Sequence, residues 1–332
     1  MKQKRSDTVF PGARARESGC APGGAASGKA SEKARLEAPC GSRAAPCRRH
    51  LRAKRFALLF CLLSFGAAAV FGARAALHAK RDADAALLRE TPASSLIERI
   101  AGRADRTSPL FIAHGGGAVG DALYTNSKES MRHAFEEGFR FIELDLRKTL
   151  TGEYFGGHTL RDFNRRTGHE AAWVLPPVSA AAVRERRIEG RFSPVVLADL
   201  AAHLDEIPPF VLVVDKAKDY SKLLESSPLP ERMIVEVSSL RQYAAALRAG
   251  VTTPALSTRR LRSAAASGVR AAVVNPQTLK NDPAAAQAFR KSGGIILTAS
   301  VADCRDALAD PLIGGLSDLV YADRCEALTA RH

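Results

Sequence analysis

The sequence predicts an α/β fold, a (β/α)8 TIM barrel preceded by an N-terminal transmembrane helix and a disordered basic head. Three observations carry this expectation. From residue 108 onward, apolar runs the length of a strand alternate with helical patterns, which implies parallel strands joined by crossover helices. Eight such runs fall within 108–330, near the ~250 residues usual for a closed barrel. The only long charge-free stretch and most of the net charge lie ahead of that region.

The chain has 332 residues, enough for one large domain plus extras. Hydrophobic residues make up 46% but aromatics only 6%, so the core must rest on Ala, Val, Leu and Ile. Of the formal charge of +14, most sits in residues 1–55, which hold fourteen Lys/Arg against four acids. The remainder is near balance, and its arginine-rich patches are not interleaved with aromatics, so nucleic acid is not an expected partner.

Residues 1–55 are rich in Gly, Ala, Ser, Pro and Arg without apolar periodicity, and read as a disordered cytoplasmic head. Residues 56–73 carry no charge. Extended by snorkelling, 56–77 reaches the ~20 residues of a membrane span. Arg49, Arg52, Lys54 and Arg55 flank it on the N-terminal side, which places the main domain outside the cytoplasm, periplasmic or extracellular. That placement holds whether the segment stays as an anchor or is clipped at the small residues 68–72. Residues 78–107 are helical in composition and heavily charged, as in a stalk.

The barrel region then runs in order. Strand-like runs lie at 110–113, 139–146, 210–214, 233–237, 253–257, 269–275, 294–298 and 319–321. Helical patterns lie at 128–137, 197–204, 240–249, 261–267, 283–291 and 303–308. An open doubly wound sheet is the structural alternative, but no glycine-rich dinucleotide fingerprint follows the first strand. Of six cysteines only Cys304 and Cys325 fall in this domain, and none is spaced C-x-x-C, which argues against a zinc knuckle. The two either pair or sit as buried small residues.

In such barrels chemistry gathers at the C-terminal strand ends. The first run ends in His114, a group suited to acid–base work near neutral pH, followed by Gly115, Gly116 and Gly117, whose backbone can approach an anion. In the second, period two puts Glu143, Asp145 and Arg147 on one face and Ile142, Leu144 and Leu146 on the other. The apolar set must face the helices, so the charged set points into the barrel, where carboxylates need a partner or a cation. Hard oxygen donors suit Mg2+ or Ca2+. A second histidine, His158, follows in a loop that can fold over the mouth. The third run ends in Asp215, with Lys216 and Lys218 placed to meet a phosphate.

These residues resemble, in order and spacing, the glycerophosphodiester phosphodiesterase family of the phosphatidylinositol-phospholipase-C-like barrels. The resemblance rests on Ile112-Ala113-His114-Gly115, Asn126-Ser127-Lys128-Glu129, the Gly138 to Asp145 strand, the Thr149 to Gly152 turn and His158. Pro194-Val195-Val196-Leu197 and the closing segment from Leu319 to Arg324 extend it across 108–330. It implies Glu143, Asp145 and Asp215 as ligands of a divalent cation, Mg2+ or Ca2+, and His114 and His158 as the acid–base pair. Lys216 or Lys218 would stand for the family's basic residue, and the substrate's neighbouring hydroxyl would be the nucleophile. Four departures stand out. Gly115 replaces an Arg, a lost phosphate contact that Arg147 is expected to supply. Thr159 replaces an Asp, Ala217 stands where a Lys is usual, and 159–193 is a long basic insertion. Two rivals follow: a metal-free phospholipase-C-type lyase on inositol lipids, and a catalytically degenerate barrel that binds an anionic lipid or polyol phosphate.

Overall fold

Alternation of apolar runs and helices closes the chain into a barrel. The computed structural model describes residues 48–204 and 207–325. It divides into two units, Met1–Phe65 and Gly66–His332, and nearly all of the head expected at 1–55 lies outside the described residues. A long helix, α1 (Arg48–Glu90), is followed by α2 (Ser95–Ala101). Among the described residues no helix is long and apolar enough to cross a membrane. Half of the side chains in the span expected at 56–77 lie outside the described residues.

The strands are β1 (Leu110–Ala113), β2 (Phe141–Lys148), β3 (Tyr154–Gly156), β4 (Val211–Asp215), β5 (Met233–Val237), β6 (Pro254–Ser257), β7 (Ala271–Val274), β8 (Ile295–Asp303) and β9 (Leu319–Arg324). β1 pairs in parallel with both β2 and β9, and each of the others pairs in parallel with its neighbours, so eight strands close on themselves. β3 alone runs antiparallel, against the end of β2. Between strands run α3 (Lys128–Glu136), α4 (Leu160–Arg166), α5 (Ala180–Arg184), α6 (Tyr220–Ser226), α7 (Leu240–Arg248), α8 (Leu261–Ala266), α9 (Pro276–Asn281), α10 (Pro283–Lys291), α11 (Cys304–Ala309) and α12 (Pro311–Leu316). The helix expected at 197–204 is a 3-10 segment, Leu197–His203.

Strand parity builds two apolar layers. Ile142, Leu144 and Leu146 face outward with Leu212 and Val214 against the helices. Ile112, Phe141, Val211, Val213 and Ile234 face inward. Leu96, Ile97 and Ile100 of α2 belong to that inner layer. Phe141 and Val211 open their strands, so α2 plugs the N-terminal end of the barrel. Ser94 caps α2 by accepting from the Ile97 N–H and bonds Thr253, just before β6, at 2.6 Å. The region expected as a stalk, 78–107, therefore supplies part of the barrel's core. Its charge misleads because only a short stripe, Leu96, Ile97 and Ile100, is buried.

Two cross-links hold the closing seam. The fully buried Asp318 side chain, just before β9, accepts from Arg106 and Arg290, and its second oxygen accepts from the Ile296 N–H at 2.8 Å. Cys304 and Cys325 are disulfide-bonded, joining the start of α11 to the end of β9. Closing a loop of that separation contributes about 3 kcal/mol on the chain-entropy view.

The plug gives a stability test. Ile97→Asp puts an unpaired carboxylate among the inner apolar residues, so urea unfolding should show a loss of at least about 3 kcal/mol. A solvated stalk would tolerate the change within about 0.5 kcal/mol.

Candidate active site

The C-terminal rim of the barrel collects acids. Inward parity carries Glu143 and Asp145 on β2, Asp215 on β4 and Glu236 on β5 to this end. Glu143 and Asp145 are almost wholly buried. Asp145 and Asp215 are register partners across the β2–β4 pair. Glu236 was not singled out from the sequence, although Met233, Val235 and Val237 face the helices and the same parity turns Glu236 inward.

Each acid is held by a named donor. Gly115 N–H donates to Glu143 Oε2 at 2.7 Å. Asn126 Nδ2 donates to Asp145 Oδ2 at 3.4 Å, while the Asp145 N–H donates to Asn126 Oδ1 at 2.8 Å. Tyr321 Oη donates to Glu236. The Lys216 ammonium donates to Asp145 Oδ1 and lies 3.5 Å from Asp215 Oδ2. Lys216 reaches this position from a left-handed backbone, φ 67°, with its own N–H on Asp215 Oδ1 at 2.6 Å. A lysine in that conformation is strained, and such strain gathers at functional positions.

Burial first, and then the charge of Asp145, holds Glu143 well above the usual carboxylate range, against the pull of the Gly115 N–H. Burial, with Asp215 second, pushes Glu236 up to about 8. Burial and the facing Glu236 push the Tyr321 phenol up as well. Four carboxylates thus share one lysine, which leaves the group short of positive charge.

His114 stands beside them. Its Nδ1 lies 3.0 Å from Asp323 Oδ1, and Tyr124 Oη donates to Asp323 Oδ2 at 2.7 Å. A carboxylate only accepts, so Nδ1 carries the proton and Nε2 is left as a base. Tyr124 and Tyr321 meet the imidazole edge-on, with ring centroids 4.7 and 5.8 Å away, and fix its plane. Asp323 is a further residue that sequence reasoning missed, though parity with Tyr321 turns it inward. At Gly115, φ is 58° and a Cβ would lie 2.7 Å from Tyr124 Cα. A side chain here would have to displace the Tyr124 backbone, so the turn that brings the 115 N–H to Glu143 suits glycine.

His158 reaches the rim by another route. Gly157 N–H donates to the Asp145 carbonyl at 2.8 Å, and the adjoining His158 side chain is exposed. Arg147, expected to meet a phosphate, lies against the His158 loop. Its guanidinium donates to the His158 carbonyl, through Nε at 3.2 Å and through Nη2, and so clamps the loop. Lys216 is drawn into the acids, Lys218 is exposed, and Ala217 packs in the outer core.

The donor set fits a hard divalent cation in chemistry: oxygen ligands from adjacent strands with an excess of negative charge. In arrangement it is closed by Lys216. Among the described residues no group of three or more His, Cys, Asp or Glu stands ready to hold a metal ion.

No protein-family model matches the sequence, and no curated protein matches it. Solved structures do match in fold. A glycerophosphoryl diester phosphodiesterase from Parabacteroides distasonis has 15% identity and a TM-score of 0.51, over 72% of this chain and 92% of that one. A glycerophosphoryl diester phosphodiesterase from Agrobacterium tumefaciens, itself described as putative, has 15% identity and a TM-score of 0.54, over 68% and 97%. An Oleispira antarctica phosphodiesterase, solved with the product sn-glycerol-3-phosphate, has 14% identity and a TM-score of 0.53, over 68% and 96%. The chain therefore has the barrel fold of glycerophosphodiester phosphodiesterases.

Glu236 supplies a pH test. The unfolded chain releases this proton near 4.5 and the folded chain near 8. Between those values folding takes up a proton, so stability falls as pH rises, by up to about 1.4 kcal/mol per pH unit. Glu143, also raised, adds a slope of the same sign, so Glu236→Gln should make the slope shallower rather than abolish it, as thermal melts in chelator across this range would read.

Proposed function

We propose that this barrel hydrolyses a phosphodiester, most specifically a glycerophosphodiester, with His114 and His158 as its acid–base pair. One observation carries the reading: His114 is held by Asp323 with its Nε2 left as a base, at the strand-end rim beside four carboxylates. The shared fold supports the same class of chemistry.

In this reading Glu143, Asp145 and Asp215 would hold Mg2+ or Ca2+, with the Lys216 ammonium, now bonded to Asp145, released from it. When bound, such a cation neutralises the phosphate's charge and so lowers its repulsion of a nucleophile. His114 takes the proton of the attacking hydroxyl, either water or the substrate's own neighbour; in the second case the alcohol leaves from a cyclic phosphate, which a water then opens to complete the hydrolysis. Asp323 stabilises the imidazolium that results. His158, exposed to solvent, gives a proton to the leaving alkoxide. Arg147 keeps the His158 loop in place. The bonded pair Cys304–Cys325 supports an oxidising, extracytoplasmic compartment, with the apolar segment 56–77 as its membrane anchor.

A second reading is favoured by Lys216, whose ammonium already lies where a cation's charge is wanted. It is metal-free cleavage of the phospholipase-C type. Chelator separates the two, since only the first loses activity.

The test is release of alcohol from glycerophosphodiesters by the full chain, with Mg2+ or Ca2+ and with chelator. His114→Ala should lower kcat/KM by about 10²–10⁴ while circular dichroism stays unchanged. Asp145→Asn should abolish the cation's effect. Full activity of the His114 variant would refute the assignment, and no turnover with retained glycerol phosphate binding would point to a binding barrel.

A further inference from the structure

An apolar platform rises beside the rim, and the reaction above does not use it. Leu150 is 67% exposed, Trp173 55%, Val174 52%, Leu175 64% and Val178 61%. These residues are neighbours in space. Leu150 N–H donates to the Pro177 carbonyl at 2.9 Å, and Thr151 N–H donates to the Val178 carbonyl at 3.0 Å. Leu150 lies in the turn between β2 and β3, which the hairpin lifts roughly 10 Å beyond Asp145 at the rise of a strand. The apolar surface therefore stands proud of the mouth, on the same side as the acids and His158.

The platform is held rather than loose. The buried Asn164 side chain donates to both the Trp173 and Leu175 carbonyls, at 2.8 and 2.9 Å, and accepts from Arg186 Nη1 at 2.7 Å. Trp173 keeps a left-handed backbone, φ 49°, while its ring points outward. A bulky aromatic in that conformation is an outlier. Bonded backbone with exposed side chains is the reverse of what a soluble surface needs, and such patches mark interaction sites.

Charge identifies the partner. The insertion 159–193 carries seven arginines against four acids. Arg161, exposed, stacks on the Trp173 ring at 4.2 Å, while the exposed Arg165 is paired with Asp162 at 2.6 Å. Aromatic and aliphatic side chains with an arginine stacked among them suit a bilayer interface with anionic headgroups, where the ring sits at headgroup level and the guanidinium meets phosphate.

We propose that Leu150 and the 173–178 loop form a docking platform that seats the barrel mouth on an anionic lipid surface. The docking stands apart from the catalytic reading, because it needs neither a cation nor turnover.

Trp173 is the chain's only tryptophan, so its emission reports on this loop whatever else of the chain touches a membrane. The full chain is mixed with phosphatidylcholine vesicles with and without phosphatidylglycerol, some carrying brominated acyl chains. On phosphatidylglycerol vesicles the emission should shift to the blue and be quenched by bromine. The double variant Leu175→Asp, Val178→Asp should weaken this response by more than about tenfold, with hydrolysis of a soluble glycerophosphodiester unchanged. Emission that stays solvent-like on vesicles overturns the proposal, as does a shift that survives in the double variant. A blue shift that grows with protein concentration in the absence of lipid overturns it in favour of a second copy of the chain. Lost turnover with an intact vesicle response would sink the catalytic reading and leave the docking standing.

Discussion

Crowding of carboxylates at one end of a closed barrel is the constraint on which the site depends. Glu143, Asp145, Asp215 and Glu236 are brought there by strand parity alone, because their apolar neighbours must face the helices. Burial removes the water that would otherwise separate their charges. The molecule answers with specific donors: the Gly115 N–H, the Asn126 amide, the Tyr321 hydroxyl and the Lys216 ammonium. These still leave Glu143 and Glu236 pressed toward their protonated forms. A site so short of positive charge draws a cation or an internal substitute, and Lys216 shows the substitute already in place.

The surrounding fold serves that crowding. A polar mouth contributes little to cohesion, so the barrel gathers its apolar contacts elsewhere. The outer layer packs on the helices, and α2 fills the opposite end with Leu96, Ile97 and Ile100. Asp318 with its two arginines ties the start of β9 to the segment before β1, and the Cys304–Cys325 bond ties the end of β9 to the start of α11. The rim is free to carry glycine turns and a strained Lys216 because the rest of the barrel does not rely on it.

What was legible in the sequence followed periodicity. The alternation in β2 marked Glu143 and Asp145 and their direction, and the apolar runs gave the eight strands. The same rule, applied to β5 and β9, would have found Glu236 and Asp323. The plug α2 was hidden because a seven-residue helix buries too few side chains to stand out among charges. A strand pattern fixes the direction of Arg147 but not the carbonyl its guanidinium meets. Nor does a sequence show that Lys216, from a left-handed backbone, turns its ammonium back onto Asp145. The exposed 173–178 segment read only as a long basic insertion, since exposure of apolar residues is a property of the folded loop.

We propose above that these acids hold a cation with a phosphate beside His114. Crystals soaked with Mn2+ and glycerol 3-phosphate test it most directly. The expected result is an anomalous peak among Glu143, Asp145 and Asp215, Lys216 displaced from Asp145, and a phosphate oxygen within hydrogen-bond reach of His114 Nε2. A structure with Lys216 still bonded to Asp145, no anomalous peak and the phosphate elsewhere would contradict it.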